Sequence, residues 1–198
     1  MKTIVVASTN SRKKEELKAI LKGLKAKIKN LGDVKTHLPM VIENGKTFRQ
    51  NAIKKALTFS RYIDGIIIAD DSGLEVEALY GRPGVRSARF AHAKATTQEN
   101  NAKLLTLMKD VPAKKRKAVF VCSVAVAEKG NLLGTAEGRC RGSIGFCFKG
   151  KNGFGYDPLF TPEGGKKTFA EITARSKNKI SHRARALKAV RSVIQKYF

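Results

Sequence analysis

The stretch Ile-Ile-Ile-Ala-Asp-Asp-Ser-Gly-Leu-Glu, residues 66–75, joins a run of β-branched residues to two adjacent carboxylates. The apolar run predicts a buried strand, and residues 70–73 predict a sharp turn that ends it. Asp70 and Asp71 would then lie at the carboxyl end of a strand, where open α/β sheets bind their ligands. Adjacent carboxylates can hold a hard cation such as Mg²⁺, which prefers oxygen ligands. Turn chemistry without a ligand explains this stretch equally well.

The composition is that of a soluble globular protein with an unusual charge. The chain has 198 residues, enough for one domain with a substantial core, and 42% of them are hydrophobic. Forty Lys and Arg against sixteen Asp and Glu give a net charge of +24, which indicates an anionic substrate or partner. Because the lysines are scattered, a solvated basic surface without a single partner is the simpler alternative.

The cysteines and the apolar runs bear on the location of the protein. Cys122, Cys140 and Cys147 lack the paired spacing of a zinc site, which predicts reduced, buried packing residues in an intracellular protein. The N-terminal apolar run is too short for a signal peptide, and nowhere do about 18 apolar residues follow one another. The sequence therefore predicts a soluble, cytoplasmic protein without a membrane partner.

The N-terminal segment predicts a strand, a polar turn and a helix. Thr3 to Ala7 form the strand, Ser8-Thr9-Asn10 the turn, and Lys13 follows one turn into the helix. Free backbone N–H groups and the positive end of the helix dipole would favour an anion there. The same polar residues also make an ordinary helix cap, and the Walker A spacing is missing. The inner face of this helix is predicted to carry Leu17, Ile20, Leu21, Leu24 and Ile28.

The later part of the chain predicts further helices and strands. One helix is expected to begin at Thr47 and another at Thr96 or Thr97. Strands are expected at Ala118–Ala127 and Leu132–Glu137, joined as a hairpin by Lys129-Gly130. Another strand is expected at about residues 142–148. The last helix is predicted to bury one apolar stripe, formed by Ile180, Ala184, Leu187, Val190 and Ile194.

Two further segments carry residues suited to a ligand. In residues 151–160, glycines flank Phe154 and Tyr156 before Asp157-Pro158, so the loop could bring a ring close to a planar ligand. A turn with a packed Phe and Tyr is the alternative. Ser181-His182-Arg183 places an imidazole and a guanidinium together near the start of the last helix.

Six motifs in this order closely resemble the inosine triphosphate pyrophosphatase family, also called Ham1-like. They are Ser8-Thr9-Asn10-x-x-Lys13-x-x-Glu16, Phe48-x-x-Asn51-Ala52-x-x-Lys55-Ala56, Ala69-Asp70-Asp71-Ser72-Gly73-Leu74, Pro83-Gly84-Val85-x-Ser87-Ala88-Arg89, Gly153-Phe154-Gly155-Tyr156-Asp157-Pro158 and Ser181-His182-Arg183. Each motif alone is weak. Together they cover the chain from Ile4 to about Leu187, which makes the resemblance strong.

The resemblance implies both a fold and an activity. The implied fold is α/β, elongated and mixed, with a curved central sheet, flanking helices and two lobes around a nucleotide cleft, all in a single domain over residues 1–198. A homodimer is also implied. The implied activity is the Mg²⁺-dependent hydrolysis of ITP, dITP and XTP to the monophosphate and pyrophosphate, which would cleanse the nucleotide pool.

The resemblance also implies roles for residues at matching positions. Asp71 would hold the metal and act as the general base or orient it. Asp70, Glu16 or the triphosphate itself could supply further metal ligands in compensation for Gln50, or activity could be reduced. The implied substrate-binding residues are Ser8, Thr9, Asn10, Lys13, Lys55, Ser72, Phe154, Gly155, Tyr156, Asp157, Lys177, His182 and Arg183. Phe154 could stack on a purine. Donors such as His182 and Arg183 suit a 6-oxo group, whereas the 6-amino group of adenine would meet another donor.

The chain departs from its relatives at Gln50, where a metal-binding Glu is expected. An amide oxygen can coordinate Mg²⁺ but brings no charge, so the enzyme is expected to need more Mg²⁺ than its Gln50→Glu variant. The alternative is that Gln50 only caps or packs its helix.

Two other functions remain to be weighed. A Maf-type pyrophosphatase is disfavoured by the motifs around Phe154 and His182. A nucleic-acid-binding protein that keeps the fold with reduced turnover is favoured by the charge and by Gln50. The basic residues, however, do not alternate with aromatic ones as in common RNA-binding modules, so any nucleic acid contact is not expected to be specific.

Overall fold

The computed structural model describes residues 2–8, 10–21, 26–34 and 36–197. The strands in these ranges are β1 (Thr3–Val6), β2 (Lys27–Asn30), β3 (Ile66–Val76), β4 (Lys117–Glu128), β5 (Asn131–Ile144) and β6 (Phe160–Pro162). The α-helices are α1 (Ser11–Leu21), α2 (Phe48–Ser60), α3 (Thr97–Leu107), α4 (Ala174–Ile180) and α5 (His182–Gln195). No helix within the described ranges has both the length and the apolar character that crossing a bilayer requires.

The strands form one six-stranded sheet in the order β2-β1-β3-β4-β5-β6. Strand β1 is parallel to both of its neighbours, with Thr3 opposite Lys27 and Ile4 opposite Ile66. Strand β6 is antiparallel to β5, with Ile144 opposite Phe160. A sheet with parallel and antiparallel pairs, accompanied by helices, confirms the predicted mixed α/β class.

The chain divides into two compact units. Unit 1 comprises Met1–Asp71, Cys122–Gly138 and Arg183–Phe198, and unit 2 comprises Ser72–Val121 and Arg139–His182. The single domain with two lobes around a cleft stays a prediction.

In unit 1, strands β1 and β3 are buried on both faces, which explains their uninterrupted apolar runs. Successive strand residues point to opposite faces. Ile66 and Ile68 belong to the apolar cluster that α1 and α5 cover, whereas Ile67 and Ala69 belong to the cluster that α2 covers. The two faces of this strand therefore meet different helices.

Unit 2 has its own core, in which α3 and an aromatic cluster pack together. Leu104 of α3 shares this core with Phe120, whose ring centroid lies 4.6 Å from that of Phe160. Helix α3 begins at a capping box, because Thr96 accepts a hydrogen bond from Glu99 N and Glu99 Oε2 accepts one from Thr96 N at 2.7 Å. The predicted start of this helix is confirmed.

The turn predicted at residues 70–73 is wrong. Strand β3 continues without interruption from Ile66 to Val76. Aspartate favours turns because its side chain can bond to nearby backbone groups. Here the carboxylates of Asp70 and Asp71 contact side chains of other elements instead. Residue 70 nevertheless lies just beyond the parallel pairing of β3 with β1, which ends at Ile68.

Other differences concern the bounds of elements. Ile28 lies in β2 rather than in the first helix, and Leu24 lies outside the described residues. Strand β5 ends at Ile144, so the separate strand at residues 142–148 is wrong. Ile180 belongs to α4 and is 38% exposed, so it is not part of the buried stripe of α5. Cys147 is exposed, although Cys122 and Cys140 are buried as predicted.

The predicted hairpin is confirmed. Two residues, Lys129 and Gly130, join β4 to β5, and both have positive φ angles of 48° and 78°. Two-residue hairpins favour this left-handed backbone because it matches the twist of the flanking strands.

Candidate active site

Helix α1 follows β1 closely and is capped by the side chain of Asn10. Asn10 Oδ1 accepts a hydrogen bond from Lys13 N at 3.2 Å, and Ser8 Oγ accepts one from Asn10 N at 3.2 Å. Thr9, also predicted here, lies outside the described residues. The turn thus has the geometry of a helix cap, and its contact with a triphosphate stays a prediction.

Asp70 is surrounded by positive charges. Its Oδ2 atom lies 3.2 Å from Lys13 Nζ and 3.2 Å from Arg183 Nε, and the Cys122 Sγ atom is 3.9 Å away. The second carboxylate oxygen, Oδ1, is buried and accepts no hydrogen bond from any described residue. One oxygen of Asp70 is therefore fully engaged, while the other retains its capacity to bind.

The charges around Asp70 decide its ionisation. The residue is 2% exposed, and burial alone would raise the pKa of its carboxyl group. The charges of Lys13, Arg183 and Lys55 outweigh burial and hold the pKa of Asp70 well below its usual range. Asp70 is therefore an ionised carboxylate at neutral pH.

Asp71, the next residue, has a different environment. Its Oδ2 atom accepts a hydrogen bond from Asn51 Nδ2 at 2.8 Å. Burial raises the pKa of Asp71, and Lys55, Lys13 and the Asn51 hydrogen bond offset this only in part. Two adjacent carboxyl groups whose surroundings shift their pKa values in opposite directions can take separate roles in acid-base chemistry. Of the two, Asp71 is the better proton acceptor.

Lys55, a predicted substrate-binding residue on α2, links two parts of this site. Its Nζ atom donates to Glu43 Oε2 at 2.9 Å and to the backbone oxygen of Asp70 at 2.6 Å. Its side chain is 11% exposed. The ammonium group is thus held beside both aspartates.

Two residues of this site, Asn51 and Glu43, are not among the predicted ones. Asn51 is 1% exposed and lies beside Ala52 on the buried face of α2. A buried amide needs hydrogen-bond partners, so an Asn on an apolar helix face is a usable sequence signal. Glu43 lies in a loop without periodicity, and nothing in the sequence indicates its contact with Lys55.

Glu16 and Gln50, predicted as additional metal ligands, make contacts of their own. Glu16 Oε2 forms an ion pair with Arg183 Nη1. Gln50 is exposed, and its Oε1 atom accepts a hydrogen bond from Lys46 N at 2.7 Å. That contact corresponds to the helix-capping alternative for Gln50. Metal binding by either residue stays a prediction.

In unit 2, Lys177, Asp157 and Phe154 form one group. Lys177 Nζ lies 2.6 Å from Asp157 Oδ2 and 4.7 Å from the centroid of the Phe154 ring. The same Asp157 oxygen accepts a hydrogen bond from Phe154 N at 2.8 Å. Gly153 permits this close approach, because a Cβ atom there would lie 2.1 Å from Asp157 Oδ2. The ion pair and the cation over the ring fix Phe154 relative to Lys177.

Gly155 and Tyr156, from the same loop, contact the interior of unit 2. The Tyr156 hydroxyl donates to the backbone oxygen of Ser87 at 2.9 Å, and burial raises the pKa of Tyr156. The backbone oxygen of Gly155 accepts a hydrogen bond from Asn101 Nδ2 at 2.8 Å. These contacts match the packed-turn alternative for the loop.

The three remaining predicted residues, Ser72, His182 and Arg183, have different surroundings. The His182 ring stacks on Phe120, with centroids 4.7 Å apart and an interplanar angle of 13°. Ser72 is half-buried in β3. The Arg183 guanidinium is grouped with Asp70 and Glu16 in unit 1, and its role at a base stays a prediction.

Comparison with known proteins identifies the family. The profile of the Ham1 family matches residues 4–193. The chain is 45% identical to a dITP/XTP pyrophosphatase of Desulforamulus reducens over 98% of this chain and 96% of the relative. It is 44% identical to a dITP/XTP pyrophosphatase of Bacillus cereus over 100% of this chain and 97% of the relative.

Solved structures agree with this match. A HAM1 protein from Coxiella burnetii has a TM-score of 0.88 at 36% identity, covering 99% of this chain and 100% of the other. The Ham1 protein of Staphylococcus aureus has a TM-score of 0.85 at 33% identity, with complete coverage of both chains. Sequence and structure together show that this chain belongs to the Ham1 family.

Proposed function

We propose that the protein is a nucleoside triphosphate pyrophosphatase that hydrolyses dITP, XTP and ITP to the monophosphate and pyrophosphate. The observation that carries the proposal is the pair of adjacent carboxylates, Asp70 and Asp71, set among Lys13 and Lys55. Relatives that share about 45% of the sequence over nearly the whole chain bear the name dITP/XTP pyrophosphatase, which supports the substrate class.

The residues of unit 1 suit the phosphoryl chemistry. Attack of water at a phosphorus atom needs neutralised charge, a positioned nucleophile and a group that takes the proton. Lys13 and Lys55 would bind the triphosphate, together with Ser8 and Asn10 at the start of α1. Asp71, with its raised pKa, would accept the proton from the attacking water.

The carboxylates of unit 1 fit a Mg²⁺ ion. No group of three or more His, Cys, Asp or Glu side chains that could hold a metal is found within the described ranges. Mg²⁺ needs no such group, because it usually binds through one or two carboxylates together with substrate phosphates. The buried Oδ1 atom of Asp70 and the carboxylate of Asp71 would serve, with Glu43 as a further candidate beside Lys55. When bound, the ion would neutralise phosphate charge and orient the attacking water.

The charge balance of the side chains around Asp70 and Asp71 supports the same conclusion. Lys13, Lys55 and Arg183 supply three positive charges, and the contacting carboxylates supply four negative ones when all are ionised: Glu16, Glu43, Asp70 and Asp71. The site alone therefore carries about one net negative charge, which would repel a triphosphate. One divalent cation would reverse that sign.

The residues of unit 2 suit the purine. Phe154 offers an aromatic ring, and Lys177 and His182 carry N–H donors that match a 6-oxo group. A site of this kind discriminates strongly against adenine, since a buried donor left facing another donor is costly.

An assay of the purified protein tests the proposal. With Mg²⁺, dITP, XTP and ITP should each yield the monophosphate and pyrophosphate, and dATP should react far more slowly. An Asp71→Asn protein purified in the same way controls for contaminating phosphatases. Release of orthophosphate as the first product, or equal rates on dATP, would contradict the proposal.

The base-binding part has its own test in His182→Phe. The substituted ring can keep the stacking contact with Phe120 but loses both nitrogen atoms. The ratio of kcat/KM for dITP to that for dATP should fall by about tenfold to a hundredfold, as expected for one lost hydrogen bond in a buried site. An unchanged ratio would remove His182 from base recognition.

The surface of α5 favours nucleic acid binding as a second candidate function. Its exposed side chains include three basic residues, Arg185, Lys188 and Arg191, and no acidic one, and the exposed Lys196 directly follows the helix. Titration with duplex DNA at several salt concentrations tests this, because phosphate contacts give a steep salt dependence. Weak binding that disappears near 0.15 M salt would leave only the pyrophosphatase function.

Sedimentation of the same sample tests the implied homodimer.

A further inference from the structure

Four consecutive loop residues, Glu43 to Lys46, each form a hydrogen bond to helix α2. We call this segment the strap. The Glu43 side chain accepts a hydrogen bond from Lys55 Nζ at 2.9 Å, and the Asn44 side chain accepts one from Lys54 Nζ at 2.9 Å. The next two residues donate through their backbone: Gly45 N to Asn51 Oδ1 at 2.7 Å, and Lys46 N to Gln50 Oε1 at 2.7 Å. The strap therefore runs along the first two turns of the helix and ends at its N-terminus.

The central contact of the strap leads to the catalytic carboxylate. Asn51 is 1% exposed. Its amide oxygen accepts from Gly45 N, so its NH₂ group faces the opposite way and donates to Asp71 Oδ2 at 2.8 Å. A rotation of the amide by 180° would lose both hydrogen bonds, because its oxygen would then face the carboxylate and its NH₂ group would face Gly45 N. The backbone N–H of Gly45 and the Asp71 carboxylate thus favour the same orientation, and Gly45 N holds the amide oxygen in place.

We propose that Asn51, oriented by the backbone N–H of Gly45, is a positioning residue that fixes the Asp71 carboxylate for proton transfer. The inference rests on the proposed function of Asp71. Asn51 touches neither phosphate nor base in this role; it acts through Asp71. Lys46 N and Gln50 Oε1 close the end of the strap, which gives Gln50 a part in the same arrangement without coordination of a metal.

Glycine is required at position 45 by space. A Cβ atom there would lie 2.6 Å from Asn51 Oδ1 and 2.9 Å from Gln50 Cβ. The φ angle of Gly45 is not in the left-handed region, so an alanine there would clash with the Asn51 amide without straining its own backbone. Gly45→Ala therefore disturbs the orientation of Asn51 without deleting any side chain of the site.

The chain offers a matched control for this substitution. Gly32 also has an ordinary φ angle, and a Cβ atom there would meet no atom of the described chain within 4 Å. Gly32→Ala makes the same chemical change in open space. It should leave kcat for dITP at the wild-type value.

A double-mutant cycle tests the proposal. Asn51→Ala should lower kcat for dITP by about a hundredfold with KM changed less than about threefold, since a misplaced catalytic group costs about that much. Gly45→Ala should lower kcat by about tenfold. In the Asn51→Ala background the added Gly45→Ala change should cost at most about twofold, because the amide it would displace is absent. Multiplicative losses, or a raised KM with unchanged kcat, would overturn the proposal.

Amide hydrogen exchange of Gly45 supplies a readout that does not depend on turnover. The wild-type Gly45 N–H should be protected, and Asn51→Ala should remove that protection while amides in β1 keep theirs. Loss of protection in β1 would show that Asn51→Ala unfolds the protein. In that case kcat of the Gly45→Ala variant, which deletes no side chain, tests the proposal. If the wild type does not cleave dITP, the proposed function fails, whereas unchanged protection of Gly45 in Asn51→Ala refutes the orienting contact itself.

Discussion

Asp70 and Asp71 are consecutive residues of β3, and their side chains meet different helices. Asp70 contacts Lys13 of α1 and Arg183 of α5, whereas Asp71 accepts a hydrogen bond from Asn51 of α2. The apolar residues before them alternate between the same helices. Because successive residues of a strand point to opposite faces, the two neighbours have different surroundings, which lower the pKa of Asp70 and raise the pKa of Asp71.

Replacing Asp71 by Asn should remove most of the activity and little of the stability. The amide has almost the same volume and can still accept a hydrogen bond from Asn51, but it takes no proton. We expect kcat for dITP to fall by about 10²–10⁴-fold, the usual contribution of a general base. Steady-state kinetics and a urea unfolding curve measure both effects. A rate near that of the wild type would remove Asp71 from catalysis.

Replacing Asp70 by Asn should instead reduce stability. The substitution leaves Arg183, which is 1% exposed, without its main counter-charge. Breaking a buried ion pair on one side typically costs about 3 kcal/mol in the free energy of unfolding. Urea unfolding without nucleotide should show this loss, with Asp71→Asn as the matched control. Equal unfolding midpoints for the two variants would contradict the separation of roles.

The Gln50→Glu variant distinguishes two roles of Gln50, that of a metal ligand and that of a helix-capping residue. If Gln50 binds Mg²⁺, as the sequence predicts, the variant needs less Mg²⁺ for half-maximal dITP hydrolysis. The Lys46 contact favours the other result, in which the two Mg²⁺ titration curves superimpose. A carboxylate there still accepts the Lys46 N–H and adds a favourable charge at the helix N-terminus, so the unfolding midpoint should rise slightly. A curve displaced towards lower Mg²⁺ would instead support Gln50 as a ligand.

The capping box of α3 should make stability depend on pH. Hydrogen bonds from the Thr96 backbone and hydroxyl, and from His92, lower the pKa of Glu99 from 4.5 to about 2. A carboxyl group with a lowered folded-state pKa stabilises the fold above its unfolded pKa and loses this effect as the pH falls towards the folded value. The stability difference between wild type and Glu99→Gln should therefore be full at pH 6 and shrink between pH 4.5 and pH 3. Urea midpoints measure it, with Glu15→Gln, an exposed glutamate of α1, as the control.

The fold class is predicted by the resemblance to the family, whereas most elements can be predicted from the sequence because their signals are local. The apolar runs of β1 and β3, the Thr47 cap of α2 and the Lys129-Gly130 hairpin are all decided by neighbouring residues. The turn at residues 70–73 fails for the opposite reason. Whether an aspartate bonds to its own backbone or to a distant lysine depends on contacts that no local pattern contains.

The site divides in the same way. The residue types at Lys13, Lys55 and Asp71 indicate phosphate chemistry from sequence, and the structure brings them together. Asn51 and Glu43 escape prediction because their partners lie 20 residues away on β3 and 12 residues away on α2. The guanidinium of Arg183 shows the same limit, since its contacts with Glu16 and Asp70 span 167 and 113 residues.

The division of the chain into units has a consequence for inheritance. Unit 1 is assembled from three separate stretches of sequence and unit 2 from two, and β3, β4 and β5 each pass from one unit to the other. No single cut in the chain, and no single crossover between genes, can therefore exchange one unit while keeping the other. Unit 2 therefore cannot be replaced whole in a single exchange, and any change in it has to be accommodated by strands that continue into unit 1.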